Sequence, residues 1–120
     1  MGAKHDKAMA LIASLIENGN LVLSTQIVRE YSNVFLKKLG NKEAGSLIGY
    51  ADNILIPHVR VIETPEMIRA AVLLAVDHNI GFYDALILQA AIELGCGTLY
   101  SEDFKNGREY SGVKIVNPFL

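Results

Sequence analysis

The chain has 120 residues, half of them hydrophobic and a fifth charged, with a formal net charge of −2. This composition suits one globular domain over residues 1–120, with a core of its own, and excludes a disordered chain. The slight acidity excludes capture of a polyanion by overall charge, so a nucleic acid must be met by a local basic patch or through bound cations.

Residues 1–5 are polar and lack the apolar stretch of a signal peptide. The spacing of Ala8, Leu11, Ile12, Leu15 and Ile16 predicts a helix over 6–18, stopped by Asn18-Gly19. Leu21-Val22-Leu23 suits a short strand buried on both faces. Ser24 or Thr25 then caps a helix running to about Leu39, with Ile27, Val28, Tyr31, Val34, Phe35 and Leu39 on its apolar arc. A third helix fits 42–54, and His58-Val59-Arg60-Val61-Ile62 reads as a strand. Thr64-Pro65-Glu66 combines a cap residue, a proline at the first helical position and a carboxylate at the positive end of the dipole. The helix it starts runs to His78. Its apolar stretch, 68–76, is interrupted by Arg69 and is too short to span a bilayer, so no membrane role is expected. A helix over 83–94 is apolar on nearly every face and is closed by Gly95. Cys96, the single cysteine, excludes an internal disulfide framework and reads as a small buried core residue in a reducing cytoplasm. Thr98-Leu99-Tyr100 and Val113-Lys114-Ile115-Val116 are the last strands. Strands alternating with helices predict an α/β fold with a mainly parallel sheet covered on both faces.

Ligands of open α/β sheets gather where the strands end and helices begin. Asp103 follows the strand ending at Tyr100, and Asp84 lies in the first turn of the late apolar helix. Glu30 lies on the helix after the first strand, beside the polar flank of Gln26, Asn33 and Lys37. Each acid has an ordinary role open to it: Asp84 at a helix N-terminus, Asp103 in a turn, Glu30 paired with Lys37 or Lys38. Their coincidence near one sheet edge favours a shared site. Carboxylates that crowd together stay ionised only around a cation, and hard oxygen donors select Mg²⁺ or Mn²⁺. His5, His58 and His78 are dispersed and form no zinc pattern. The phosphate-cradling Gly-Lys loop, the dinucleotide fingerprint and the Gly-x-Ser-x-Gly elbow are absent. An aspartyl-phosphate domain lacks support, because no acid directly follows Leu23. Metal-assisted phosphodiester chemistry is the enzyme class that survives.

Four blocks carry a family resemblance: 24–31 (Ser-Thr-Gln-Ile-Val-Arg-Glu-Tyr), 82–87 (Phe-Tyr-Asp-Ala-Leu-Ile), 98–103 (Thr-Leu-Tyr-Ser-Glu-Asp) and 115–119 (Ile-Val-Asn-Pro-Phe). In this order they resemble the PIN domain family, most closely the VapC-type ribonuclease toxins of bacterial toxin–antitoxin pairs. The resemblance implies a three-layer α/β/α sandwich and a cytoplasmic metal-dependent endoribonuclease, commonly dimeric and held by an antitoxin protein. It assigns Glu30, Asp84 and Asp103 as catalytic acids and ligands of Mg²⁺ or Mn²⁺. Thr25, Ser101 and Glu102 fall beside them in supporting positions. Lys37, Lys38, Lys42, Lys105 and Arg108 are the basic residues nearest the acids in sequence, available to RNA phosphates.

The family also begins with a central apolar strand ending in an aspartate that is a principal metal ligand. Residues 1–5 resemble the loop and helix that come after that strand, so the strand and its acid are expected to be missing. Asp6 belongs instead to the first turn of the opening helix. Loss of a ligand implies weak Mn²⁺ binding and little nuclease activity. The alternative is a non-catalytic PIN-like fragment or protein-binding module that keeps the fold and dimerises. The apolar surface of the 83–94 helix, and a gap in the sheet that a partner fills, would serve it.

Overall fold

A computed structural model describes residues 2–120; of the polar opening segment, Met1 lies outside them. The first element is helix α1, Ala3–Glu17. Gly19, at φ +72°, ends it with a pair of bonds, Gly19 N–H to the Ile16 carbonyl and Asn20 N–H to that of Leu15. Strand β1, Leu23–Ser24, leads directly into α2, Thr25–Leu39, whose Ile27 N–H is accepted by the Ser24 hydroxyl.

The predicted helix over 42–54 is broken. A 3₁₀ turn, Asn41–Glu43, precedes α3, Ala44–Tyr50, which widens into a π-turn, Ala51–Leu55, and a second 3₁₀ turn, Ile56–His58. Local side chains compete for the helical carbonyls here. The Asn53 amide donates to the Gly49 carbonyl at 2.8 Å, and Pro57 has no N–H to continue the ladder.

Strand β2, Val59–Val61, precedes α4, Pro65–His78, where the Thr64 hydroxyl accepts the Met67 N–H at 3.1 Å. Helix α5, Phe82–Glu93, turns 113° away from α4 and packs closely on it. Its Ala85, Leu86 and Ala90 meet Val61, Met67 and Ala71. Its Leu88 and Ala91 meet Phe104, Tyr110, Val113 and Ile115. The apolar surface expected to be free on this helix is therefore the core of the domain. The exposed apolar stripe lies on α4, at Ile68, Val72, Leu73 and Val76.

Strands β3, Thr98–Tyr100, β4, Glu109–Tyr110, and β5, Val113–Val116, complete the chain. Strand β4 is an addition to the predicted elements. Its hairpin with β5 turns through Ser111-Gly112, both at positive φ (49° and 87°), the backbone of a tight primed turn.

The architecture is mixed α/β, consistent with the α/β/α layering. The sheet, however, is in two pieces. One holds β1 and β2 in parallel; the other has the order β3-β5-β4, with β3 and β5 parallel. Between the pieces runs a groove, and it changes two expectations. Val22 is 37% exposed, so the segment before α2 is not buried on both faces. Cys96 is half-buried at the groove instead of sealed in the core. Among the described residues, no single helix is long and apolar enough to cross a membrane.

Candidate carboxylate metal centre

The acids reach one region by three routes. Asp84 sits in the first turn of α5 and folds back over its start, where a Cβ added at Gly81 would lie 3.6 Å from Asp84 Oδ2. Asp103 rides the loop after β3; its N–H donates to the Ser101 hydroxyl at 3.1 Å, and the next residue, Phe104, is buried against Tyr110. Glu30 projects from the second turn of α2. Its Oε1 accepts from the Gln26 amide at 3.1 Å.

Gln26 is the residue that the sequence pattern misplaces. The helical wheel groups it with the polar flank of α2, yet it is 1% exposed, the most enclosed polar side chain of the domain. Its amide also donates to the Tyr83 carbonyl at 2.9 Å, so one side chain ties Glu30 to the start of the Asp84 helix. The signal is present in its spacing: Gln26 and Glu30 are four apart, on one face of α2.

Electrostatics agrees with the convergence. The Asp84 carboxyl is pushed above the usual aspartate range, first by burial, then by the negative charges of Asp103 and Glu30. The convergence is loose. Among the described residues, no three acids, histidines or cysteines stand close enough to hold one metal ion. Glu30 is exposed and does not pair with Lys37 or Lys38, and Glu102 is drawn away to Lys4 at 2.7 Å. Thr25 opens α2, and its own side chain touches none of the acids through a hydrogen bond.

The basic residues divide. Lys37 and Lys38 occupy the last turn of α2, two turns along the helix from Glu30, roughly 10 Å by helical rise. Lys105 and Arg108 are on the same loop as Asp103 and border a shallow hollow, with the Arg108 guanidinium 5.0 Å from the Tyr110 ring centroid. Lys42 lies in the 3₁₀ turn beyond α2. None is brought into an ion pair with the three acids among the described residues.

A family model described as the PIN domain matches residues 3–106. The chain belongs to the PIN domain family. PIN domains are in general nucleases and typically use a divalent metal. The match includes Glu30, Asp84 and Asp103 and stops short of the closing 115–119 block. No curated protein matches the chain. In this PIN domain the donors suit a hard divalent cation in kind, since all three are carboxylates, and burial together with the charges of Asp103 and Glu30 raises the proton affinity of Asp84. In number and closeness they fall short of a closed shell.

Proposed function

We propose that this PIN domain is a metal-dependent endoribonuclease of the VapC toxin type, hydrolysing RNA phosphodiester bonds at Asp84, Asp103 and Glu30, with low activity in this chain. The observation that carries the reading is the convergence of three carboxylates from three separate elements, with Asp103 and Glu30 near enough to add to burial in raising the Asp84 carboxyl. These three would hold Mg²⁺ or Mn²⁺, which when bound supplies a Lewis acid that makes water a better nucleophile and neutralises phosphate charge. Gln26 orients Glu30, and the Ser101 hydroxyl and buried Phe104 fix the loop of Asp103. Lys105 and Arg108, on that same loop, would meet the RNA backbone, with Lys37 and Lys38 further out.

The sheet is in two pieces and the carboxylate set is open among the described residues. Both features favour the second reading, a PIN-like module without catalysis. The proposal extends to a cytoplasmic homodimer with an antitoxin partner, for which the α4 stripe of Ile68, Val72 and Val76 offers apolar contact.

Calorimetric titration with Mn²⁺ and cleavage of a mixed-sequence RNA decide between the readings. Weak Mn²⁺ binding and slow cleavage are expected, with Asp84→Asn or Asp103→Asn reducing the rate by about 10²–10³-fold. Brisk cleavage lost in Asp84→Asn would show that the fourth acid has been replaced. Cleavage equal in both variants and the parent would remove the site, and no Mn²⁺ binding would favour the module.

A further inference from the structure

We propose that Tyr83 is the residue that reads the substrate at this site: an unpaired base next to the attacked phosphate stacks on its ring, so the protein takes single-stranded RNA and leaves duplexes alone. The inference rests on the reading of the three acids as a nuclease centre, and adds to it the group that holds the base.

The chain has five tyrosines, and four of them are engaged or placed elsewhere. Tyr110 is buried among Phe104, His78 and Arg108. Tyr31 and Tyr50 lean on each other, their ring centroids 5.6 Å apart, with Phe35 on Tyr31 as well. Tyr100 borders the groove between the sheet pieces. Tyr83 is 65% exposed, the most open of the aromatic side chains. Exposure alone says little, since single apolar side chains at a surface are common. Tyr83 is set apart by being exposed and yet held in place.

Two contacts hold it. Its carbonyl accepts from the buried Gln26 amide at 2.9 Å, which fixes the backbone. Its ring is braced by Phe82, 5.4 Å away and inclined at 67°, and Phe82 itself packs on the core cluster of Met67, Ala71 and Ala85. A ring held this way gives up little freedom when a base lies on it. The contacts also place it. The Gln26 amide that holds Tyr83 donates to Glu30 too, and Asp84 is the next residue along α5. Neighbours on a helix diverge by about 100°, so the ring stands beside the Asp84 carboxyl and leaves it open to a cation.

Charge explains why an uncharged contact is wanted here. The chain is acidic overall, and none of the three acids is ion-paired with a cation among the described residues. Phosphate neutralisation, the usual source of affinity for nucleic acid, is therefore thin at the site. Stacking on a tyrosine is indifferent to that acidity and tolerates any base, because every base has a π-face. In a duplex those faces are covered by neighbouring bases, whereas a loop or single strand can turn one out onto the ring.

The test compares the full-length parent, Tyr83→Ala and Tyr83→Trp, binding a short mixed-sequence RNA as a single strand and as a duplex in chelating buffer, where no metal-dependent cleavage interferes. Tyr83→Ala should bind the single strand about 5–150-fold more weakly, and Tyr83→Trp at least as well as the parent. The ratio should hold as salt is raised, because a stacking contact releases no counterions. Duplex binding should be the same in all three proteins, and the Tyr83 ring protons of the parent should move upfield only with the single strand. Equal affinity of the parent and Tyr83→Ala for the single strand would overturn the proposal, as would an equal loss on the duplex. So would a change in sedimentation of Tyr83→Ala with RNA binding intact, the sign of a protein contact. Cleavage with Mn²⁺ separates this inference from the nuclease reading. Tyr83-dependent binding without any cleavage would remove the nuclease and uphold the stacking; cleavage at equal kcat/KM in the parent and Tyr83→Ala would do the reverse.

Discussion

Residues from α4 to β5 and residues from α1 to β2 contain similar proportions of apolar side chains but use them differently. In the C-terminal region Ala71, Ala85, Leu88 and Ile115 have no exposed surface, and one helix, α5, serves both core clusters. In the N-terminal region α1 has no fully buried residue, and its apolar face borders the groove. The difference teaches that amphipathic pattern alone does not make a core; it also needs an opposite face at contact distance.

The sharpest way to break this comparison is to truncate a leucine on each side. Leu88→Ala should cost about 2–5 kcal/mol in urea unfolding, the range for a closed core site. Leu15→Ala should cost less than about 1 kcal/mol, because the side chain is only half covered. Equal losses would show that α1 is packed as firmly as α5. Next in size is Gln26→Ala, which removes the tie between α2 and α5. Losing both bonds of the buried Gln26 amide, and the packing of its side chain, should cost about 1–3 kcal/mol, and the variant should also weaken Mn²⁺ binding. A change in stability without any change in Mn²⁺ affinity would confine Gln26 to holding the two regions together.

The smallest effect concerns pH. The folded protein binds a proton at Asp84 more tightly than the unfolded chain, so ionising this carboxyl opposes folding. The penalty is complete above the raised value and fades as pH falls through it towards the ordinary aspartate range. In a chelating buffer Asp84→Asn should therefore melt slightly higher than the parent at pH 7, and the gap should narrow near pH 4. A gap that widens on acidification would mean that the charge at the start of α5 helps the fold through the helix dipole.

Features governed by local chemistry were legible in the sequence. The cap at Thr64, the stop at Gly95 and the strands β3 and β5 follow from residues acting within a turn of themselves. Asp84 and Asp103 could be placed because each sits where an element begins or ends. Features that depend on distant neighbours were not legible. Gln26 looks solvated on a wheel, and its burial is made tolerable by the neighbouring Glu30 together with the Tyr83 carbonyl, 57 residues away. The break after α3 depends on Asn53 choosing a backbone acceptor over water. Strand β4 is two residues long, too short for alternation to register, although its Ser-Gly turn was a usable sign. The looseness of the carboxylate set was hidden too, since Lys4 and Glu102 are 98 residues apart.

The Ser111-Gly112 turn has a consequence in time. It closes the β4–β5 hairpin within adjacent residues, an event of about 1–10 μs. The β1–β2 pairing, by contrast, joins Leu23 to Val59, 36 residues apart, and must wait for loop closure. On a ribosome the order of appearance is the reverse: the slow-pairing region emerges before the fast one. Substitutions in the hairpin should accordingly slow refolding, whereas those in α1 should chiefly speed unfolding, a contrast that stopped-flow chevrons would register.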